Sequence, residues 1–194
     1  MPKNIVIIDG HPAQDRAHLC HALADTYAAG AEQAGHVIRR IEIAALDFPL
    51  LRSADDFNHG TPPPDIAEAQ AAILWADHLL IVYPLWLGTM PALLKGFFEQ
   101  AIRPGFAIDF RPNGMWNKLL KGRSARVVVT MGMPALIYRW FFGAHSLKSL
   151  ERNILRFSGI APVRETLFGG IETASDAKRR KWLERMRRLG ARGA

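Results

Sequence analysis

The chain has 194 residues, 49% of them hydrophobic and 22% charged, with a formal net charge of +7. One domain spanning 1–194 with a substantial core is expected, and a disordered or fibrous chain is excluded. A single cysteine, Cys20, excludes an internal disulfide and a cysteine-based metal cluster, and it reads as a core residue rather than a redox centre.

The charge is uneven. Residues 1–96 carry a balance of −5 and residues 97–194 a balance of +12. A basic half can meet nucleic acid, an anionic membrane surface or a phosphorylated cofactor. The plainer reading is a solvated helix face, and no nucleic-acid partner is expected. The N-terminal apolar run is too short for a signal-peptide core, so a cytoplasmic setting is expected.

In chain order, Asn4 to Asp9 is a short β-branched run that suits a central strand. Gly10, His11 and Pro12 turn it. Asp15 is placed to cap a helix from Arg16 to Ala34, stopped by Gly35, with Leu19, Leu23, Tyr27 and Ala31 as its buried stripe. His36 to Ile43 reads as an edge strand. A long connection, Ala44 to Pro64, leads to a helix capped by Asp65 and ending near Trp75.

The stretch His78 to Gly96 organises the rest. Leu79 to Tyr83 is an apolar run that fits a strand buried on both faces. Pro84 and Gly88 interrupt it, and Pro91 starts a helix carrying Lys95 and Glu99. Leu79 to Leu94 is uncharged, but it is broken three times and is shorter than the ~20 residues a membrane span needs, so no membrane insertion is expected. A loop leaving a buried strand and entering a helix lies at the carboxyl end of a sheet, where open α/β sheets bind ligands. Pro84 to Thr89 is therefore expected to wall a site for a flat, apolar ligand.

Arg103 to Gly122 is a second long connection, rich in aromatic residues. Ala125 to Met131 is the fourth strand, broken by Gly132, Met133 and Pro134. Leu136 to His145 is apolar without a clear period. A helix is expected from Ser146 to Ser158, a fifth strand from Pro162 to Phe168, and a last helix from Ser175 with Trp182, Leu183, Met186 and Leu189 turned inward. Five strands alternating with helices predict an α/β doubly wound, five-stranded parallel sheet ordered 2-1-3-4-5, with helices on both faces.

The turn at Gly10 runs straight into a helix N-terminus, which makes it an anion site. With one glycine it is neither a Walker loop nor a dinucleotide fingerprint. His21, His36, His59 and His78 fit no metal spacing and read as surface or packing residues.

Three segments together carry a resemblance: Gly10-His11-Pro12, the run Tyr83-Pro84-Leu85-Trp86 through Met90-Pro91-Ala92-Leu93-Leu94-Lys95-Gly96-Phe97-Phe98-Glu99, and Pro104-Gly105-Phe106-Ala107. They resemble the flavodoxin-like NAD(P)H:quinone oxidoreductases, a family that includes DT-diaphorase and small bacterial NAD(P)H dehydrogenases. The resemblance implies a flavodoxin-like fold and a flavin, FMN or FAD, with NAD(P)H as co-substrate. His11, Arg16, Ala17 and His18 would hold the flavin phosphate. Pro84, Leu85, Trp86 and Leu87 would lie along the ring, and Thr130, Met131, Gly132 and Met133 would line its pyrimidine edge. Tyr138 and His145 would support charge changes on the flavin, and Phe106 and Phe110 would cover the substrate.

The chain departs from the family at Leu87, where a second aromatic is common, and at Met133, where a second glycine is common. The implied activity is ping-pong hydride transfer from NAD(P)H to the flavin and on to a quinone or similar electrophile. A homodimer is implied, with Ala135 to Phe142 contributing to its interface. Two rivals are an ancillary flavoprotein attached to a membrane transport protein, which would suit the basic half, and an electron-carrier flavodoxin.

Overall fold

The computed structural model of the chain describes residues 1–111 and 113–194. Its strands are β1 (Asn4–Asp9), β2 (Val37–Glu42), β3 (His78–Pro84), β4 (Ile108–Phe110), β5 (Trp116–Lys118), β6 (Ser124–Met131) and β7 (Val163–Gly169). Its helices are α1 (Leu19–Gln33), α2 (Ala54–His59), α3 (Pro64–Trp75), α4 (Ala92–Ala101), α5 (Ala135–Trp140), α6 (His145–Ser149), α7 (Arg156–Ser158) and α8 (Asp176–Ala191). A π-helical stretch, Leu150–Leu155, joins α6 to α7.

The main sheet is ordered β2-β1-β3-β6-β7, and all of its pairs are parallel. With the β4–β5 hairpin set aside, this is the expected 2-1-3-4-5 order. Alternation along the strands explains the unbroken apolar runs. Ile5, Ile7, Leu80, Val82 and Val128 face the layer of α1 and α8. Val6, Ile8, Leu79, Ile81, Val127 and Val129 face the layer that includes α3 and α4. Burying one such side chain stabilises by ~1.5–3 kcal/mol, so both layers are needed to hold the central strands.

The α1–α8 contact depends on two glycines. A Cβ on Gly30 would lie 2.1 Å from the Arg187 carbonyl oxygen, and one on Gly190 would lie 2.0 Å from that of Tyr27. Met186 is buried in this layer, and Trp182, Leu183 and Leu189 pack against it, as the amphipathic pattern predicts.

Two local expectations are corrected. Asp15 does not cap the first helix. That helix begins at Leu19 with His18 at its N-cap, and the Asp15 carboxylate instead accepts from the Ala17 amide at 3.3 Å and meets His18 Nε2 at 3.0 Å. Asp65 lies inside the first turn of α3, with Pro63 at the cap, and accepts from the Asp47 amide. The two long connections contain the short α2, capped by Ser53, and the β4–β5 hairpin. The aperiodic apolar stretch contains α5.

Candidate functional site

Three loops meet at the carboxyl ends of β1, β3 and β6. The first leaves β1 at Gly10, whose amide donates to the Val82 carbonyl at 2.7 Å. A Cβ there would lie 2.6 Å from Leu94 Cδ2 and 3.1 Å from the Val82 oxygen, so a side chain would have to displace Leu94 and crowd the neighbouring strand. His11 follows, buried, with its ring stacked on His18 at a centroid distance of 3.9 Å. Its Nδ1 accepts from the Ala13 amide at 3.1 Å. Burial lowers the His11 pKa, and His18 and His21 lower it further against an opposing pull from Asp9, so this imidazole is neutral at physiological pH.

Beneath this pair lies a buried dyad. Asp9 Oδ2 meets His21 Nδ1 at 2.6 Å, and Asp9 Oδ1 accepts from the His11 amide. His21 Nε2 is buried without a partner. His21 is thus a wall of the first loop and lines a cavity of about 270 Å³ with Asp9, His11 and Arg16. Of the two placements expected for His21, surface or packing, it takes the buried one. The signal was its i,i+3 spacing from His18 on a helix face, which brings both rings to His11.

The Arg16 guanidinium at this cavity is already engaged by carboxylates. Its guanidinium makes a two-pronged contact to Asp25 at 2.7 and 2.8 Å and a third to Glu42 at 2.9 Å. It therefore braces α1 against β2. What remains for an anion is backbone. His18 makes no side-chain cap bond, and the Arg16 and His18 amides have no acceptor among the described residues. An uncapped helix N-terminus presents such amides with a favourable dipole.

The second loop turns tightly. Trp86 and Thr89 exchange backbone bonds at 2.9 and 3.0 Å across Leu87 and Gly88, which adopt φ of 47° and 79°. A left-handed leucine is strained by roughly 1–2 kcal/mol, and its side chain is fully exposed. Leu85 points partly into the core, and its amide is bonded to the Thr130 carbonyl at 2.8 Å. The Trp86 ring is half-exposed and sits edge-on to His11 at 6.1 Å, which joins the first two loops. The Leu87 and Gly88 amides have no acceptor among the described residues.

The third loop follows β6. Thr130 is buried, with Oγ1 3.2 Å from Cys20 Sγ, which ties it to α1. Burial pushes the Cys20 thiol up to about 12, so it stays protonated and acts as a core residue. Met131 is buried and Gly132 is exposed. Met133 packs partly against the core instead of standing out into the site. The Gly132 and Met133 amides are, like those of the second loop, without acceptors among the described residues.

Tyr138 and His145 differ in exposure. The Tyr138 hydroxyl is buried, 2.8 Å from Ser146 Oγ and accepting from the Leu147 amide at 3.3 Å. His145 is exposed at the start of α6 and lies against Gly143. The hydroxyl that reaches open space is that of Ser146. It lines a cavity of about 430 Å³ together with Trp86, Leu87, Met90 and Lys95. Sequence reasoning passed over Ser146, although it is the residue next to His145. Phe106 and Phe110 also diverge. Phe106 packs partly against the core, whereas Phe110 is exposed on the hairpin.

A phosphate-bearing flat ring fits this donor set. Three adjacent loops each carry a pair of amides without an acceptor among the described residues, and the middle loop adds an exposed indole and a leucine. Carboxylates close to the first loop are already matched, Asp15 by His18 and Asp9 by His21. An α/β chain with such loops at its strand ends is of the flavodoxin-like class.

The comparisons agree. The family described as having the flavodoxin-like fold matches residues 3–189, and the chain belongs to it. The chain is 30% identical over 185 residues to an NAD(P)H oxidoreductase, itself uncharacterised, of Haemophilus influenzae, covering 93% of this chain and 91% of that one. It is 28% identical over 211 residues to an FMN-dependent NADH:quinone oxidoreductase of Nitratidesulfovibrio vulgaris, covering 95% and 97%. Among solved structures, the NAD(P)H:quinone oxidoreductase of Methanothermobacter marburgensis superposes with a TM-score of 0.82 at 24% identity, over 98% of this chain and 96% of that one, which shows the shared fold.

Proposed function

We propose that the chain is a flavin-dependent NAD(P)H dehydrogenase that reduces a quinone or similar small electrophile. The observation that carries this reading is the adjacency of three strand-end loops, linked by the His11–Trp86 ring contact and the Leu85–Thr130 backbone bond, each with two amides that have no acceptor among the described residues. The relatives named for NAD(P)H and quinone support the substrate class, and the FMN-dependent relative makes FMN the first flavin to test.

In this reading the amides of Arg16 and His18, with Ala17 and the neutral His11, bind the flavin phosphate. Pro84 to Leu87 form the wall along the ring, and Leu87 supplies an aliphatic contact where the family resemblance implies an aromatic. Thr130 to Met133 hold the pyrimidine edge through the Gly132 and Met133 amides. The bound flavin supplies hydride chemistry, and the protein orients it and tunes its charge.

Ser146, backed by Tyr138, donates a hydrogen bond toward charge that develops in the 430 Å³ cavity, and His145 lies one residue away. NAD(P)H and the quinone occupy that cavity in turn, beside Trp86. A second copy of the chain completes the site through α5, where Leu136, Trp140 and Phe141 are each more than 70% exposed. No helix among the described residues is long and apolar enough to cross a membrane.

Steady-state oxidation of NAD(P)H with menadione tests this function. Parallel lines in double-reciprocal plots at varied menadione are expected. Intersecting lines overturn the alternating occupancy, and the absence of turnover with either nicotinamide overturns the reductase.

A further inference from the structure

The outer edge of the sheet carries a feature that the three loops do not use. Among the described residues β7 pairs only with β6, and beside these two strands lies a cavity of about 820 Å³ bounded by α5, α6 and the turn into α7. Six cationic side chains line it: Arg126, Arg139, Lys148, Arg152, Arg156 and Arg164. Only two carboxylates do. Glu165 takes Arg139, and Glu151 takes Arg156 at 2.5 Å. Arg126, Lys148, Arg152 and Arg164 have no carboxylate partner among the described residues.

Arg126 is the decisive residue. It is 6% exposed, yet its polar contacts are a hydroxyl, Thr166 Oγ1 at 2.8 Å, and a long approach to the Glu165 carbonyl at 3.5 Å. Its Nε is buried with no partner, as is the Tyr27 hydroxyl on the same side of β6. The charges facing it are Arg164 and Arg185, and burial together with these cations lowers its pKa. A guanidinium does not lose its proton within proteins, and buried charges are normally paired. Arg126 is thus a buried cation that faces two further cations and has no carboxylate partner among the described residues.

We propose that this cavity is a second ligand site, which binds a diphosphate group, free or carried on a nucleoside. Four unmatched cations suit the three to four negative charges of such a group, and planar guanidinium forks match its oxygens pairwise. The site is separate from the flavin loops, because Arg126 lies five residues before Met131 along β6, roughly 17 Å from its carboxyl end. The depth of Arg126 favours a small oxyanion over a macromolecular surface.

The test is calorimetric titration with inorganic pyrophosphate and with ADP, in saturating FMN so that the flavin phosphate loop is filled. The readout does not depend on turnover. Saturable binding is expected, weakened at least tenfold in Arg126→Met and in the double variant R152Q/R164Q. The double variant alters exposed positions and keeps the test alive if Arg126→Met does not fold. Tighter binding of ADP than of pyrophosphate identifies a nucleoside source, and equal binding identifies the free anion; both support the site. Heat that sodium chloride at matched ionic strength reproduces, unchanged affinity in the double variant, or stronger binding of poly-glutamate than of pyrophosphate overturns it.

Discussion

His78 opens β3 beneath the candidate site and gives the fold a specific sensitivity to acid. It is 2% exposed, its Nδ1 lies 2.8 Å from Ser124 Oγ, and its Nε2 is buried without a partner. Burial, then the cations Lys3, Arg126 and Arg164 and the neighbouring His36, pull its pKa from 6.5 down to about 3. The folded imidazole therefore stays neutral, while the unfolded one takes a proton as pH falls below 6.5. Stability from this group is present above 6.5 and is lost as pH falls toward about 3. Between about pH 7.5 and about pH 5 the loss is about 2 kcal/mol, set almost wholly by the unfolded titration. The figure holds wherever the folded pKa sits below about 4.5. Urea unfolding followed by tryptophan fluorescence at the two pH values, on wild type and His78→Asn, measures it. Wild type is expected to lose about 2 kcal/mol more than the variant over this interval. Equal losses would refute the argument that the buried imidazole cannot take a proton.

Three further outcomes are expected. Leu87→Gly relieves the left-handed strain in the Trp86–Thr89 turn and raises folding stability by about 1 kcal/mol in the same assay, while weakening flavin affinity in a fluorescence titration; unchanged affinity removes Leu87 from the ring contact. Ser146→Ala and Tyr138→Phe each slow flavin reduction by NAD(P)H about tenfold in stopped flow with flavin retained, and unchanged rates in both variants exclude this pair from the chemistry. Phe141→Glu shifts the protein to a monomer in analytical ultracentrifugation, and a wild type that is monomeric at assay concentration sinks the dimer.

The sheet was legible in the sequence because each central strand is apolar on both faces, and only burial between two helix layers explains such runs. Gly10 and the break at Gly132 located the loops for the same reason: each ends a buried strand. What stayed hidden were contacts between residues far apart in the chain. Asp15 reads as a helix cap, but His18, three residues on, and the bracing of Arg16 by Asp25 and Glu42 hold the loop open and delay the helix to Leu19. His21 looks ordinary until Asp9, on the neighbouring strand, is known to meet it. The β4–β5 hairpin pairs three residues with three, too short for alternation to register. The family resemblance implies Tyr138 as a donor, and the partner it reaches, Ser146 Oγ, is a contact that no sequence pattern announces.

The central claim is that the three loops form one flavin pocket, and flavin uptake measures it most directly. Purified protein titrated with FMN and with FAD is expected to quench the fluorescence of one equivalent of flavin per chain, to bleach when NAD(P)H is added without oxygen, and to recover its yellow colour with menadione. A protein that leaves both flavins fluorescent and free would contradict the account.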